Sequence, residues 1–111
     1  MEKSLMHKQY WIYILSNKTD TTLYIGVTDN LEARTLEHRA GINAGFAEKY
    51  CCDKLVYYEE YSSIDQAIDR EKQLKKWSRK KKEWLIDQVN KERKDLLPEI
   101  SPLASLGRND I

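Results

Sequence analysis

The chain is poor in the residues that usually announce a catalytic or stapled protein. Its two cysteines, Cys51 and Cys52, are adjacent, a spacing that suits neither a disulfide framework nor a paired metal motif. Reduced thiols without a chemical role are expected. Two histidines are too few for a zinc site. No serine or cysteine stands in a nucleophile motif, and no glycine-rich phosphate loop occurs. No apolar run approaches the roughly 20 residues that span a bilayer. The N-terminus, MEKSLMHKQY, lacks the apolar middle of a secretory signal, so a cytoplasmic protein with no membrane association is expected. Both prolines fall beyond Asp95, where residues 96–111 show no period and read as a flexible C-terminal tail.

What remains is enough for one domain. A chain of 111 residues supports a modest core without staples, and the patterned part runs over residues 9–95. The net charge of +1 hides an asymmetry. Residues 1–71 carry eight Lys or Arg against twelve Asp or Glu, whereas residues 72–94 carry ten against three. Such concentration points to an anionic partner, because lysine and arginine facing phosphates displace condensed counterions. The plain alternative is a solvated helical face.

Along the chain, Tyr10 to Leu15 is aromatic and β-branched, with Trp11, Tyr13 and Leu15 on one strand face and Ile12 and Ile14 on the other. A polar turn, Ser16 to Thr22, leads into Leu23 to Val27, and the two runs predict an antiparallel hairpin with Tyr24 and Gly26 sharing a face. Thr28 or Asp29 can cap a helix reaching about Ala40, with Glu32 completing a capping box and Gly41 stopping it. On that helix Arg34 and His38 are four residues apart, hence on one face. Residues 41–54 read as loop and Leu55 to Tyr61 as a strand. Ser62 or Ser63 then caps a helix whose apolar stripe comprises Ile64, Ala67, Ile68 and Leu74, with Glu71 among them. A carboxylate there costs kilocalories to desolvate unless paired; a salt bridge to an arginine at the core edge is the structural explanation. Ser78 caps a last helix expected to turn Trp84, Leu85 and Val89 inward and Arg79 to Lys82 outward.

Tyr13, Tyr24, Arg34, His38 and Glu71 together suit phosphodiester hydrolysis. One carboxylate without companions fits a hard divalent ion that keeps most of its waters. A helix-held arginine can grip phosphate oxygens bidentately. A tyrosine activates water only if its phenolate is stabilised. Taken singly, each is more simply a packing or surface residue.

The order WIY, ten residues, YIG, an arginine eight residues after that glycine, and a later helical glutamate resembles the GIY-YIG nuclease superfamily. The segments TLYIGVTDNLEAR, GFAEKY, KLVYYEEY and AIDREKQLKKW are similar to its small single-domain bacterial members, which resemble the N-terminal nuclease domain of UvrC. The resemblance implies an α+β fold, a three-stranded antiparallel sheet flanked by helices. It implies a metal-dependent endonuclease with one Mg²⁺ or Mn²⁺ held by Glu71, and DNA rather than RNA as the expected partner. By the same resemblance Tyr13 is the leading candidate for general base, Tyr24 orients the water or shares that role, Arg34 and His38 stabilise the phosphate, Gly26 admits close backbone approach, and Asn90 supports the site. Trp11 stands where the family's first motif has glycine. No separate DNA-binding domain is attached, so Lys72, Lys75, Lys76, Arg79, Lys80, Lys81 and Lys82 are expected to contact nucleic acid, or a partner protein supplies specificity. The alternative function is a non-catalytic nucleic-acid-binding module using the same basic segment. The long helix is expected to dock across the hairpin and aim Glu71 at the face that carries Tyr13, Tyr24 and Arg34.

Overall fold

A computed structural model describes residues 8–40 and 52–100; the expected Gly41 stop, most of the 41–54 loop, Cys51 and residues 101–111 lie outside them. Alternating aromatic and β-branched residues form β1 (Tyr10–Ser16), β2 (Leu23–Thr28) and β3 (Lys54–Tyr61), side chains that fit a pleated, covered surface. Helices α1 (Leu31–Ala40), α2 (Ile64–Lys76), α3 (Arg79–Asn90) and the single turn α4 (Leu97–Ile100) accompany them. The sheet is antiparallel with order β2-β1-β3, so the α+β architecture is the one expected from sequence.

β1 is the central strand and its two faces make two cores. Ile12, Ile14 and Ile25 pack with Ala67 and Leu74 of α2 and with Leu85 and Ile86 of α3. Tyr13 and Leu15 pack on the other face with Leu31 of α1, Cys52 and Leu55, joined by Leu96 and Ile100. Burying each large aliphatic side chain contributes about 1.5–3 kcal/mol, which holds α2 and α3 to one side of the sheet and α1 and α4 to the other. The β1–β2 turn is fixed locally: Asn17 Oδ1 accepts from the amides of Thr21 at 2.8 Å and Thr22 at 3.1 Å, and Asp20 takes the left-handed conformation at φ 57° that a short polar side chain tolerates.

Asn90 has a structural task. Register passes from Ile14 opposite Tyr57 to Leu15 opposite Leu55, which leaves Val56 as the extra residue of a β-bulge. Asn90 Nδ2 donates to the Val56 carbonyl at 3.0 Å and to the Lys94 carbonyl at 2.8 Å, and its Oδ1 accepts from the Lys94 amide at 2.9 Å. It thereby ties the end of α3 to the bulge.

Several sequence expectations need correction. α1 is capped by Asn30, whose Oδ1 accepts from the Ala33 amide at 3.1 Å, while Thr28 serves the Asn30 amide at 3.0 Å; Ser63 and Ser78 cap α2 and α3 as expected. The α2 stripe is narrower, with Ala67 and Leu74 buried but Ile64 exposed. On α3 the buried residues are Leu85, Ile86 and Asn90, whereas Trp84 and Val89 face solvent. The domain does not end at residue 95. Leu97 is buried and Ile100 packs on the second core, and the Leu96 amide donates to the Leu55 carbonyl at 2.8 Å. Asp95 Oδ1 accepts from the Leu55 and Leu97 amides, and its Oδ2 from Arg39 at 2.5 Å. Pro98, read as a sign of disorder, sits in a first helical turn where a missing N–H costs nothing.

A partly buried carboxylate–arginine pair that the sequence reading missed is Glu59–Arg70. Arg70 Nε and Nη2 each donate to Glu59 at 2.9 Å, and Glu59 also accepts from Tyr57 and, at 2.6 Å, from Tyr61. Burial works to raise the Glu59 pKa, but hydrogen bonds from Arg70, Tyr57 and Tyr61 outweigh it and leave the carboxyl below its ordinary value. Arg70 also lies over Trp77, 5.2 Å from the ring centroid. Both members keep about a fifth of their side-chain exposure, so Arg70→Gln is expected to cost about 1–3 kcal/mol, read as a lowered midpoint in urea unfolding. A midpoint unchanged from the parent contradicts this role.

Candidate active site

Tyr13 and Gly26 are directly opposed across the hairpin, and Leu15 is opposite Tyr24, so the period-2 alternation of both strands brings Tyr13, Gly26 and Tyr24 to one face. A Cβ built on Gly26 would run into the Tyr13 hydroxyl oxygen and lie 2.6 Å from Cζ. Glycine is required here because the phenol ring lies across it, and not for unusual backbone. Gly26→Ala must displace a ring that is 1% exposed; the overpacking costs about 1–3 kcal/mol. The variant is expected to melt earlier and to lose whatever activity depends on Tyr13, and a variant with parental stability would contradict the packing.

α1 supplies the third ring. His38 is buried, and its Nε2 lies 3.3 Å from the Tyr13 hydroxyl, while its Nδ1 has no hydrogen-bond partner among the described residues. The rings of Tyr13 and Tyr24 are 6.2 Å apart, and those of Tyr24 and His38 meet edge to face at 5.4 Å. Burial pushes the Tyr13 phenol well above its ordinary value, Tyr24 adds to the shift, and the Arg34 guanidinium opposes it. Burial lowers the His38 pKa, Arg34 lowers it further, and Glu37 acts against both. The imidazole is therefore neutral near pH 7. Arg34, one turn before His38, is partly exposed, pairs with Glu37 at 3.3 Å, and lines a groove with Thr28, Asp29 and Asn30. Trp11 packs against the second core beside Tyr13, so its bulk serves as cover at the motif's first position.

Glu71 does not arrive as expected. α2 covers the Ile12 and Ile14 face, opposite the Tyr13 face, so the helix does not dock across the catalytic side of the hairpin. Nor does Glu71 point into solvent: its side chain is 15% exposed and pairs with Lys75 Nζ at 2.9 Å. β2 has no strand on its far side among the described residues. There a groove of about 290 Å³ is lined by Leu23, Tyr24, Ile25, Lys75 and Lys82, joining Tyr24 to the ion-pair partner of Glu71. Among the described residues no group of three or more histidine, cysteine or carboxylate side chains could form a protein cage for a metal. Glu71 could serve only an ion that retains much of its own water, which suits Mg²⁺. Lys75 is half exposed but Glu71 is not, so an ion that displaces the ammonium must itself compensate a largely covered carboxylate.

The basic residues divide by what they touch. Arg79, grouped in the sequence with the nucleic-acid contacts, instead clamps the β1–β2 turn, donating to the Thr21 carbonyl at 2.9 Å and the Asp20 carbonyl at 2.6 Å, and pairs with Glu83 at 2.7 Å. Lys75 holds Glu71, and Lys81 lies over Trp77, 4.2 Å from its centroid. Lys72, Lys76 and Lys80 are exposed and Lys82 is partly so.

A family model described as the GIY-YIG catalytic domain matches residues 9–83, and the chain belongs to the GIY-YIG family. That family is one of nucleases, which makes nucleic acid the substrate class. Among similar chains, a UPF0213 protein of Syntrophus aciditrophicus is 43% identical over 84 residues, covering 75% of this chain and 94% of that one. A UPF0213 protein of Natronomonas pharaonis is 40% identical over 81 residues, covering 73% and 94%. The solution NMR structure of a UPF0213 protein from Bacillus halodurans aligns with a TM-score of 0.51 at 26% identity, covering 78% of this chain and 92% of that one. This chain is therefore similar to small single-domain proteins of the family. No helix among the described residues is long and apolar enough to cross a membrane.

Proposed function

We propose that the protein is an endonuclease that hydrolyses phosphodiester bonds in DNA with a single divalent ion, Mg²⁺ or Mn²⁺, in repair or recombination. The observation that carries this reading is the Tyr13 ring seated across Gly26 with its hydroxyl against the neutral His38. The ion, held by Glu71, supplies neutralisation of charge on the phosphate oxygens. The chain supplies the rest. Tyr24 lines the groove with its ring 6.2 Å from that of Tyr13, so it orients the attacking water at the entrance. Free phenolate is disfavoured at Tyr13, so Tyr13 acts by passing a proton on: its O–H donates to His38 Nε2 as it accepts a proton from the water side. In that tautomer the His38 Nδ1 carries the other proton. His38 thus stands behind Tyr13, and phosphate contact falls to Arg34, whose planar fork suits a dianionic transition state.

The test is a cleavage panel of nicked, branched, single-stranded and duplex DNA, and RNA, with Mg²⁺, Mn²⁺ or EDTA. Cleavage that requires the ion supports the reading. Binding without cleavage of every substrate with either ion would instead establish the non-catalytic nucleic-acid-binding module.

A further inference from the structure

Trp84 is 54% exposed on α3, although its neighbours Leu85 and Ile86 are buried. Its surroundings on the helix are polar throughout. Positions three and four residues away, which share its face, are Lys80, Lys81, Asp87 and Gln88. Val89, also exposed, lies roughly 140° around the helix from Trp84 by the turn per residue, and lines a separate groove with Tyr58 and Leu96. The two therefore do not form one apolar patch of the kind that docks a protein.

The charges around this indole are arranged to favour an anion. Glu83 is tied to Arg79 at 2.7 Å and Asp87 to Arg93 at 2.6 Å, so the nearby carboxylates are neutralised within the fold. Lys80 has no hydrogen bond or ion pair among the described residues, and Lys76 at the end of α2 is likewise exposed. An exposed aromatic face bordered by the uncommitted Lys80 on a basic segment matches the requirements of an unpaired base and a flanking phosphate.

From this geometry we propose that Trp84 is a stacking platform for an unpaired base, with Lys80 contacting the adjacent phosphate, so that the DNA bound has a single-stranded segment. The inference rests on the nucleic-acid reading above and names the form of substrate it takes. A duplex offers no free base face to Trp84 and gains only the phosphate contacts.

The experiment measures binding of the full chain to a labelled single-stranded oligonucleotide and to the duplex of the same sequence, by fluorescence anisotropy in EDTA. Trp84→Ala is expected to weaken single-strand binding roughly 5- to 150-fold while changing duplex binding little, and Trp84→Phe to retain most of the single-strand affinity. Equal weakening on both ligands, or no weakening on either, overturns the proposal. So does a parent that sedimentation velocity shows to be a dimer and that Trp84→Ala converts to monomer, since the indole would then serve self-association. Because EDTA removes turnover from the measurement, a negative result here leaves the nuclease reading intact, and failure to cleave leaves the stacking result interpretable.

Discussion

Glu71→Gln is expected to lower the cleavage rate by at least about 10³-fold, because a catalytic divalent ion contributes several kcal/mol of charge stabilisation and the proposed mechanism has this carboxylate hold it. The same substitution should abolish the calorimetric signal of Mn²⁺ binding while leaving DNA binding in EDTA unchanged. Stability should move little, since the substitution breaks an ion pair with the half-exposed ammonium of Lys75, worth a few tenths of a kcal/mol. A Glu71→Gln protein that still cuts at the parental rate would remove Glu71 from the mechanism.

Tyr13→Phe carries the second large effect. The ring stays, so the packing over Gly26 and in the second core is retained; the oxygen goes, and with it the contact to His38 Nε2. General acid–base participation is worth about 10²–10⁴-fold, and that is the expected loss in kcat, with substrate affinity close to that of the parent. Leaving His38 Nε2 without its partner should destabilise the fold by about 1 kcal/mol. Parental kcat in Tyr13→Phe would transfer the proton-handling role to another group, Tyr24 first.

The hairpin half of the site was legible in the sequence because strand alternation is local. Once Trp11 to Leu15 and Leu23 to Val27 pair, Tyr13, Tyr24 and Gly26 must share a face, and helical spacing must put Arg34 beside His38. The other half was not legible, because which face of the sheet a helix covers depends on distant apolar residues. The apolar residues of α2 chose the Ile12 and Ile14 face, so Glu71 lies on a helix behind the sheet and not across Tyr13. Helix α3 was misjudged for a related reason. Hydropathy alone turned Trp84 and Val89 inward, yet the buried positions are set by Ile86 and by Asn90, a polar residue drawn in to satisfy the carbonyl of a bulge that no pattern in LVYYEEY announces. A signal for the missed Glu59 cluster did exist: Tyr57, Glu59 and Tyr61 alternate on one strand face, with two hydroxyls flanking a carboxylate. The short turn at Leu97 was hidden by its proline, although Leu96, Leu97 and Ile100 carry the spacing of one helical face.

In the proposed mechanism Glu71, borne on the helix behind the sheet, holds the ion near the β2 groove that Tyr24 and Lys75 line. Titrating Mn²⁺ into isotope-labelled protein and mapping paramagnetic broadening tests it most directly. The account predicts broadening centred on Glu71 and extending to the amides of Leu23, Tyr24 and Ile25, and its disappearance in Glu71→Gln. Broadening centred elsewhere, such as on Asp87 and Glu92, or unchanged by Glu71→Gln, would contradict it.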